Sequence, residues 1–442
     1  PHHILRKFLF AILCIFLGVG SATATDPMAT KYTSTQCQGS LTPYPTNVAD
    51  IITPDSLVAV HIDHVGRHGS RFPASAASCK TLHQALLHSD SLGLLTTTGR
   101  ELLALTEQAM AASQGRWGAL DSLGMAEQRS IATRMVRRYD DLFKDGARVR
   151  ALSSYSPRSM MSMFCFLHQM SRMNNRLEIS SNSGRQNSTL VRPFDTNEDY
   201  KHFRSDRLWE PTYTAYFEQY CPLTAITRVL GRDYPFGGTE QARELAITEY
   251  YVIAGMAAME IECDASRFFT EAEYNALWSC FNLRQYLQYT ASTVSSVPAD
   301  MAGTLLMDII RTTDLATDSR SADGVVADLR FGHAESLMPL LSLLRLPGCY
   351  YITNYFDTVA LHWKDFHVVP MAANLQISLF EVVPMAANLQ IVLFKAKRSG
   401  RYYVRFDVNE KPVSLPGDRM GMYVPWDVAR DYMMRCVPLY LN

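Results

Sequence analysis

Residues Ser56 to Val65, SLVAVHIDHV, are apolar nearly throughout, as expected of a strand covered on both faces of a sheet. The strand leads directly into HVGRHGSRFP, His64 to Pro73, which packs two histidines, two arginines and two glycines into ten residues. A buried strand opening into so polar a loop points to an α/β sheet, where loops at the carboxyl ends of strands hold the ligands. Three readings of the loop are open: a solvated surface, a metal cluster or an anion site.

Strand and helix patterns alternate along much of the chain. Strands are expected at RVRALSS (Arg148 to Ser154), RLEISSN (Arg176 to Asn182), GVVADLRFGH (Gly324 to His333), ANLQIVLFKA and RYYVRFDV, the last two flanking the turn-like Arg398-Ser399-Gly400. Helical periodicity marks TLHQALLHSD, GRELLALTEQAMAA, SLGMAEQRSIATRMVRRYDDLF, RSMMSMFCFLHQM and AESLMPLLSLL. Ser156 and Pro157 form a helix-start signal before Arg158. Residues 206–314 are helical in pattern without a good strand candidate and read as an inserted cap, leaving 25–205 and 315–442 as the α/β core.

The amino end is different. Arg6 and Lys7, an apolar run from Phe8 to Gly20, and SATA ending at Ala24 make residues 1–24 a secretory signal peptide. The expectation is therefore an exported protein, secreted or periplasmic, with no membrane association after cleavage. A formal net charge of -1 supplies no global field to attract nucleic acid, so a charged ligand must be caught locally. Without Cys14, the remaining eight of the nine cysteines lack any CxxC spacing; an exported even set is compatible with disulfides and disfavours a zinc cluster.

Within the loop, Gly69 lets backbone approach a ligand, Arg67 and Arg71 match phosphate oxygens bidentately, and a neutral His68 between them is a candidate nucleophile toward phosphorus. A metal would instead use His61, Asp63, His64 and His68. Residues 61 and 63 share one strand face and 64 the other, and the neighbouring arginines repel a cation, which disfavours that set.

RHGSRFP (Arg67 to Pro73) resembles the RHGxRxP signature of the histidine acid phosphatases, the branch of the histidine phosphatase superfamily that includes phytases. LSSYSPRSMMS is similar to the family segment that supplies a third phosphate arginine, here Arg158, and LDSLGMAEQ to a family helix start. GHAES resembles the segment carrying the second catalytic histidine, here His333. Ala334 and Glu335 follow it where most members have His-Asp. His-Ala-Glu, with LVRPFDTNEDY, is similar to the multiple inositol polyphosphate phosphatases.

The resemblance implies a phosphoglycerate mutase-like three-layer core, its mostly parallel sheet flanked by helices, with a mainly helical cap. It implies hydrolysis of phytate and lower inositol polyphosphates through a phosphohistidine on His68. Arg67, Arg71, Arg158 and His333 would bind the phosphoryl oxygens and Glu335 would act as the acid, with no metal or cofactor. Further cationic contacts would come from among Arg134, Arg138, Arg185, Arg192 and Lys201, and Asp328 is the next candidate acid. A non-specific acid phosphatase or bisphosphoglycerate phosphatase is the alternative within the class, and an exported phospho-ligand binding protein the alternative outside it.

VVPMAANLQISLF (Val368 to Phe380) recurs as VVPMAANLQIVLF (Val382 to Phe394), differing only at Ser378 and Val392. The second copy runs straight into the Arg398-Ser399-Gly400 turn and is expected to hold the strand.

Overall fold

The computed structural model describes residues 31–318, 324–366, 385–417 and 421–441. The expected signal peptide and the first repeat copy, Val368 to Phe380, lie outside the described residues. Among the described residues, eight strands form one sheet: β1 (Leu57–Arg67), β2 (Arg148–Ser153), β3 (Glu178–Ser183), β4 (Val325–Gly332), β5 (Asn388–Ala396), β6 (Tyr402–Val408), β7 (Lys411–Val413) and β8 (Val424–Pro425). Their order is β3-β2-β4-β1-β5-β6-β7, with β8 against β6.

The pairs β3-β2, β2-β4 and β4-β1 are parallel, whereas every pair from β1-β5 outward is antiparallel. The sheet is therefore mixed, more evenly than the strand–helix alternation suggests. The β5–β6 pair follows from a short hairpin: Lys395 pairs with Tyr402 across the turn, and Gly400 takes the positive φ of 69° that the reversal needs.

Helices cover both faces. On one lie α3 (Ser122–Arg138) and α4 (Pro157–Met173), which follow α1 (Ala77–Ser91) and α2 (Thr97–Ser113) in the chain. Ile131, Met135, Phe166 and Met170 there meet Ile62, Leu329, Phe331 and Phe394 of the sheet in one buried cluster. Each such fully buried side chain contributes roughly 1.5–3 kcal/mol. The other face packs Val65, Leu389, Ile391 and Leu393 against helices Gly303–Thr317 and Ala334–Leu343. That cluster continues without a break into Tyr250, Trp278 and Tyr286 of the long helical segment.

Residues 206–314 contain helices and turns and no strand. The last helix, Gly303–Thr317, crosses the expected boundary at 314 and bonds to β1 through Thr312 and Thr313. Among the described residues, the cysteines from Cys37 to Cys436 are all free thiols, and no helix is long and apolar enough to cross a membrane.

Two expected boundaries move. β1 runs through Arg67, two residues into the polar motif, because Gly66 and Arg67 still pair with Phe331 and Gly332 of β4. α3 stops at Arg138 rather than continuing to Phe143, since Tyr139 leaves helical geometry with ψ 44°.

The second repeat copy forms β5, between β1 and β6. Deleting Val368 to Glu381, one repeat unit, leaves that strand intact. The shortened protein is expected to be soluble with an unchanged unfolding midpoint within a few degrees and to keep the activity that the sequence resemblance implies; loss of soluble protein would show that the first copy is required.

Candidate active site

The motif leaves β1 held by backbone on both sides. Arg67 N donates to Ala387 O (2.7 Å), His68 N to Gly332 O (3.1 Å), and Ala386 N to His68 O (2.8 Å). The residues leading into β5 and the end of β4 thus hold the motif between them. Below it, the start of α3 packs so closely that a Cβ on Gly69 would lie 2.5 Å from Gly124 O, and one on Gly124 would lie 2.1 Å from Ser70 O. Glycine at both positions is a packing requirement. Glu127 takes Ser70 N and Ser70 Oγ, both at 2.7 Å, and Tyr44 N at 2.8 Å, while Gln128 Nε2 donates to Arg67 O at 3.0 Å.

His68 is 2% exposed. Its Nδ1 lies 2.9 Å from Gly69 O; a carbonyl only accepts, so Nδ1 carries the proton and Nε2 presents a lone pair. Burial holds the imidazole well below its ordinary pKa, helped by Arg158, Arg67 and Arg71. His68 is therefore a neutral base with a free nitrogen, the state a nucleophile needs.

The expected arginines converge around it. Arg67 is buried and donates to Ser40 O at 2.7 Å, Arg71 bonds Phe72 O at 2.9 Å, and Arg158 stands at the start of α4 behind Pro157. Burial brings Arg67 and Arg158 down to about 10, with Arg71 pushing both the same way and Glu335 opposing. Arg71 Nε and Arg158 Nε are buried donors without a protein acceptor.

His333, 1% exposed, follows β4 directly and caps the start of helix Ala334–Leu343. Its ring lies 5.5 Å from that of His68. Arg158 Nη2 is 3.4 Å from its Nδ1, and Ser154 Oγ and Arg192 Nη1 are 3.0 and 2.9 Å from its Nε2. Burial and then Arg158 and Arg192 hold His333 well below its ordinary pKa, so it too is neutral. Guanidinium groups only donate, so Arg158 and Arg192 compete for the single acceptor nitrogen of the neutral ring. Glu335 is half-buried in the first helical turn, within electrostatic reach of Arg67, Arg158, Tyr200 and Tyr289.

Of the wider cations, Arg192 touches the site, resting on Tyr155 and Phe194 (both 4.7 Å) and paired with Asp195 at 2.6 Å. Arg185 covers the same Tyr155 ring at 4.4 Å. Arg134 is instead paired with the buried Glu410 at 2.6 Å and Lys201 with Glu198 at 2.8 Å, while Arg138 reaches only Ala49 O at 3.5 Å. Asp328 is no acid for this pocket: Arg150 holds it at 2.5 Å. The disfavoured metal set of His61, Asp63, His64 and His68 does not assemble as a whole, because His64 turns to the opposite face and packs between Phe166 and Phe331. Sequence reasoning left Arg192 unranked and missed Ser154, Ser40 and Gln128; the aromatic flank Phe194 beside Arg192 was the available signal.

The model of the histidine phosphatase superfamily (branch 2) matches residues 60–409. Among solved structures, the chain is similar to the Bifidobacterium longum multiple inositol polyphosphate phosphatase in complex with inositol hexasulfate, at TM-score 0.70 and 16% identity over 89% of this chain and 96% of that one. The same enzyme in complex with phosphate gives 0.71 and 16% over 91% and 99%. The phytase from D. castellii gives 0.65 and 14% over 91% and 85%. At these identities the likeness is one of fold.

Gly124→Ala tests whether the loop geometry rests on the glycine contact. Its Cβ meets backbone that cannot rotate away, so a loss of about 1–3 kcal/mol in chemical denaturation is expected, together with a fall in kcat. An unchanged midpoint and kcat would show that the contact is dispensable.

Proposed function

The chain belongs to the histidine phosphatase superfamily, branch 2, and from that premise we propose that it hydrolyses phytate and lower inositol polyphosphates through a phosphohistidine intermediate. The observation that carries the reading is the neutral His68, its Nε2 lone pair free, among arginines of which Arg71 and Arg158 each carry a buried donor without an acceptor among the described residues. His68 Nε2 attacks phosphorus in line, forming an N–P bond as the ester P–O bond breaks. Arg67, Arg71, Arg158 and His333 bind the non-bridging oxygens, where charge stabilisation does most of the work. Glu335, as the carboxylic acid, gives its proton to the leaving oxygen. In the second step its carboxylate takes a proton from water as that water displaces His68 from phosphorus, releasing phosphate.

An inositol polyphosphate presents several anionic groups around one ring. Arg192 and Arg185, stacked on Tyr155 beside His333, supply cationic surface outside the reacting position. The inositol hexasulfate complex of the Bifidobacterium longum enzyme supports the substrate class. The segment Arg6 to Ala24 adds the expectation of an exported enzyme.

His68→Ala is expected to lower turnover of phytate by on the order of 10³-fold or more while phosphate still binds, because the arginines remain. Comparable phytate hydrolysis would overturn the mechanism, and failure of the wild type to trap acid-labile phosphate while binding it would favour a binding protein. Separating the inositol phosphate products distinguishes a phytase from an acid phosphatase of other preference.

Glu335→Gln keeps the shape and removes the proton. Phosphoenzyme formation from alkyl phosphates is expected to slow by roughly 10²-fold, and from an activated aryl phosphate far less. Equal losses on both, in single-turnover measurements, would move the acid role to another residue.

A further inference from the structure

Upstream of the phosphate loop, on the face covered by helix Gly303–Thr317, the sheet carries a buried row of charge. Asp63 of β1 stands directly opposite Asp328 of β4, and Asp328 opposite Arg150 of β2. Asp63 is 1% and Asp328 5% exposed. Two carboxylates facing each other on adjacent strands repel, and burial sharpens the repulsion. Arg330 Nη1 bonds Asp63 Oδ1 at 2.8 Å and Arg150 Nε bonds Asp328 Oδ1 at 2.5 Å. Both Oδ2 atoms are left turned toward His61. Each accepts one hydrogen bond, from Thr313 and from Arg150 Nη2, and keeps a further lone pair.

His61 is 1% exposed. Its Nδ1 lies 3.0 Å from Val325 O, a carbonyl that takes the proton there and leaves Nε2 facing the two carboxylates. Nε2 is 3.2 Å from Asp63 Oδ2 and 3.7 Å from Asp328 Oδ2. Despite that proximity it makes no aligned hydrogen bond with either. The three ligand atoms lie within 4.8 Å of one another. Tetrahedral bonds of 2.0–2.1 Å set neighbouring ligand atoms about 3.3 Å apart, between the two measured nitrogen–oxygen separations. A histidine whose other nitrogen is fixed by a carbonyl is the usual second support of a metal ligand. Beside the cluster a cavity of about 170 Å³, lined by His61, Asp328, Thr312 and Asp318, offers a route in and room for a further ligand.

We propose that His61, Asp63 and Asp328 bind a divalent cation of the zinc and cobalt class, tying β1 to β4. One imidazole and two carboxylates are a donor set that suits a borderline metal. The site lies roughly 20 Å along β1 from His68 at the rise of a strand, so its role is structural and independent of the phosphatase reading.

Chelator-treated full chain is titrated with Co²⁺ and followed by visible absorption. One Co²⁺ per chain with d–d bands of low-symmetry nitrogen and oxygen coordination is expected, displaced by Zn²⁺, with an unfolding midpoint raised by either metal. Asp328→Asn and His61→Gln should each weaken Co²⁺ binding at least about tenfold. The double variant His68→Ala/His333→Ala, lacking the imidazoles of the phosphate pocket, should titrate as the wild type. Absence of bands in the folded wild type means that the cluster holds a proton and overturns the proposal. So do bands that survive Asp328→Asn or vanish in the double variant. Should the cluster variants not fold, the titration of the double variant alone decides between the two sites.

Discussion

Guanidinium groups gathered around two neutral imidazoles repel one another, and the architecture of the pocket is organised around sustaining that repulsion. At an effective dielectric of 20, a pair of unit charges 5 Å apart costs about 3 kcal/mol. Burial is the larger cause that brings Arg67 and Arg158 down to about 10, and repulsion from Arg71 adds to it. Carboxylates close enough to quench the cluster would also occupy the place of the oxyanion. The supports are accordingly neutral carbonyls at Ser40 and Phe72, with Glu335 off to one side. Part of the binding free energy for a phosphoryl group is thus the relief of repulsion already built into the protein, which is the meaning of a preorganised site.

Such a cluster needs backbone that does not yield, and the mixed sheet provides it. In the parallel half, β1 and β4 bring Arg67, His68 and His333 to one end because parallel strands finish together. β5 runs the other way, so the residues before it, Ala386 and Ala387, arrive at that same end and bond to Arg67 and His68 from the opposite flank. A wholly parallel sheet would close this side with a longer loop. The glycine pair 69 and 124 then lets helix α3 approach the motif at backbone contact, which brings Glu127 and Gln128 under it.

What could be read from the sequence was what is local in it. The apolar strand, the RHGSRFP motif, the proline before Arg158 and the strand ending at His333 are each encoded within about ten residues, and the structure brings Arg67, His68, Arg71, Arg158 and His333 to one pocket with Glu335 beside it. Arg192 was harder, because its contact with His333 joins positions far apart in the chain and only the nearby Phe194 sets it apart from the other arginines. Asp328 shows the same limit from the other side. As a residue on the strand leading to His333 it looked like a spare acid, yet its place depends on register, which sets it opposite Asp63 and Arg150. Register is fixed by pairing across strands, and no single strand carries it.

The repeated segment is the exception, a case in which register can be inferred from two nearly identical strings. Their one difference is Ser378 against Val392. In β5 Val392 is fully buried, opposite Ile62 and in one cluster with Phe331 and Phe394. Were the first copy to take the strand in the same register, a hydroxyl would stand at that position among apolar neighbours. Burying it unpartnered costs about 1–3 kcal/mol, to which the lost valine methyls add roughly 1 kcal/mol or more. Since the shift between copies is even, alternation alone permits either copy to occupy the strand. The single substitution breaks that tie, because it falls on a core-facing position, and it selects the second copy for the same reason that places β5 beside β1.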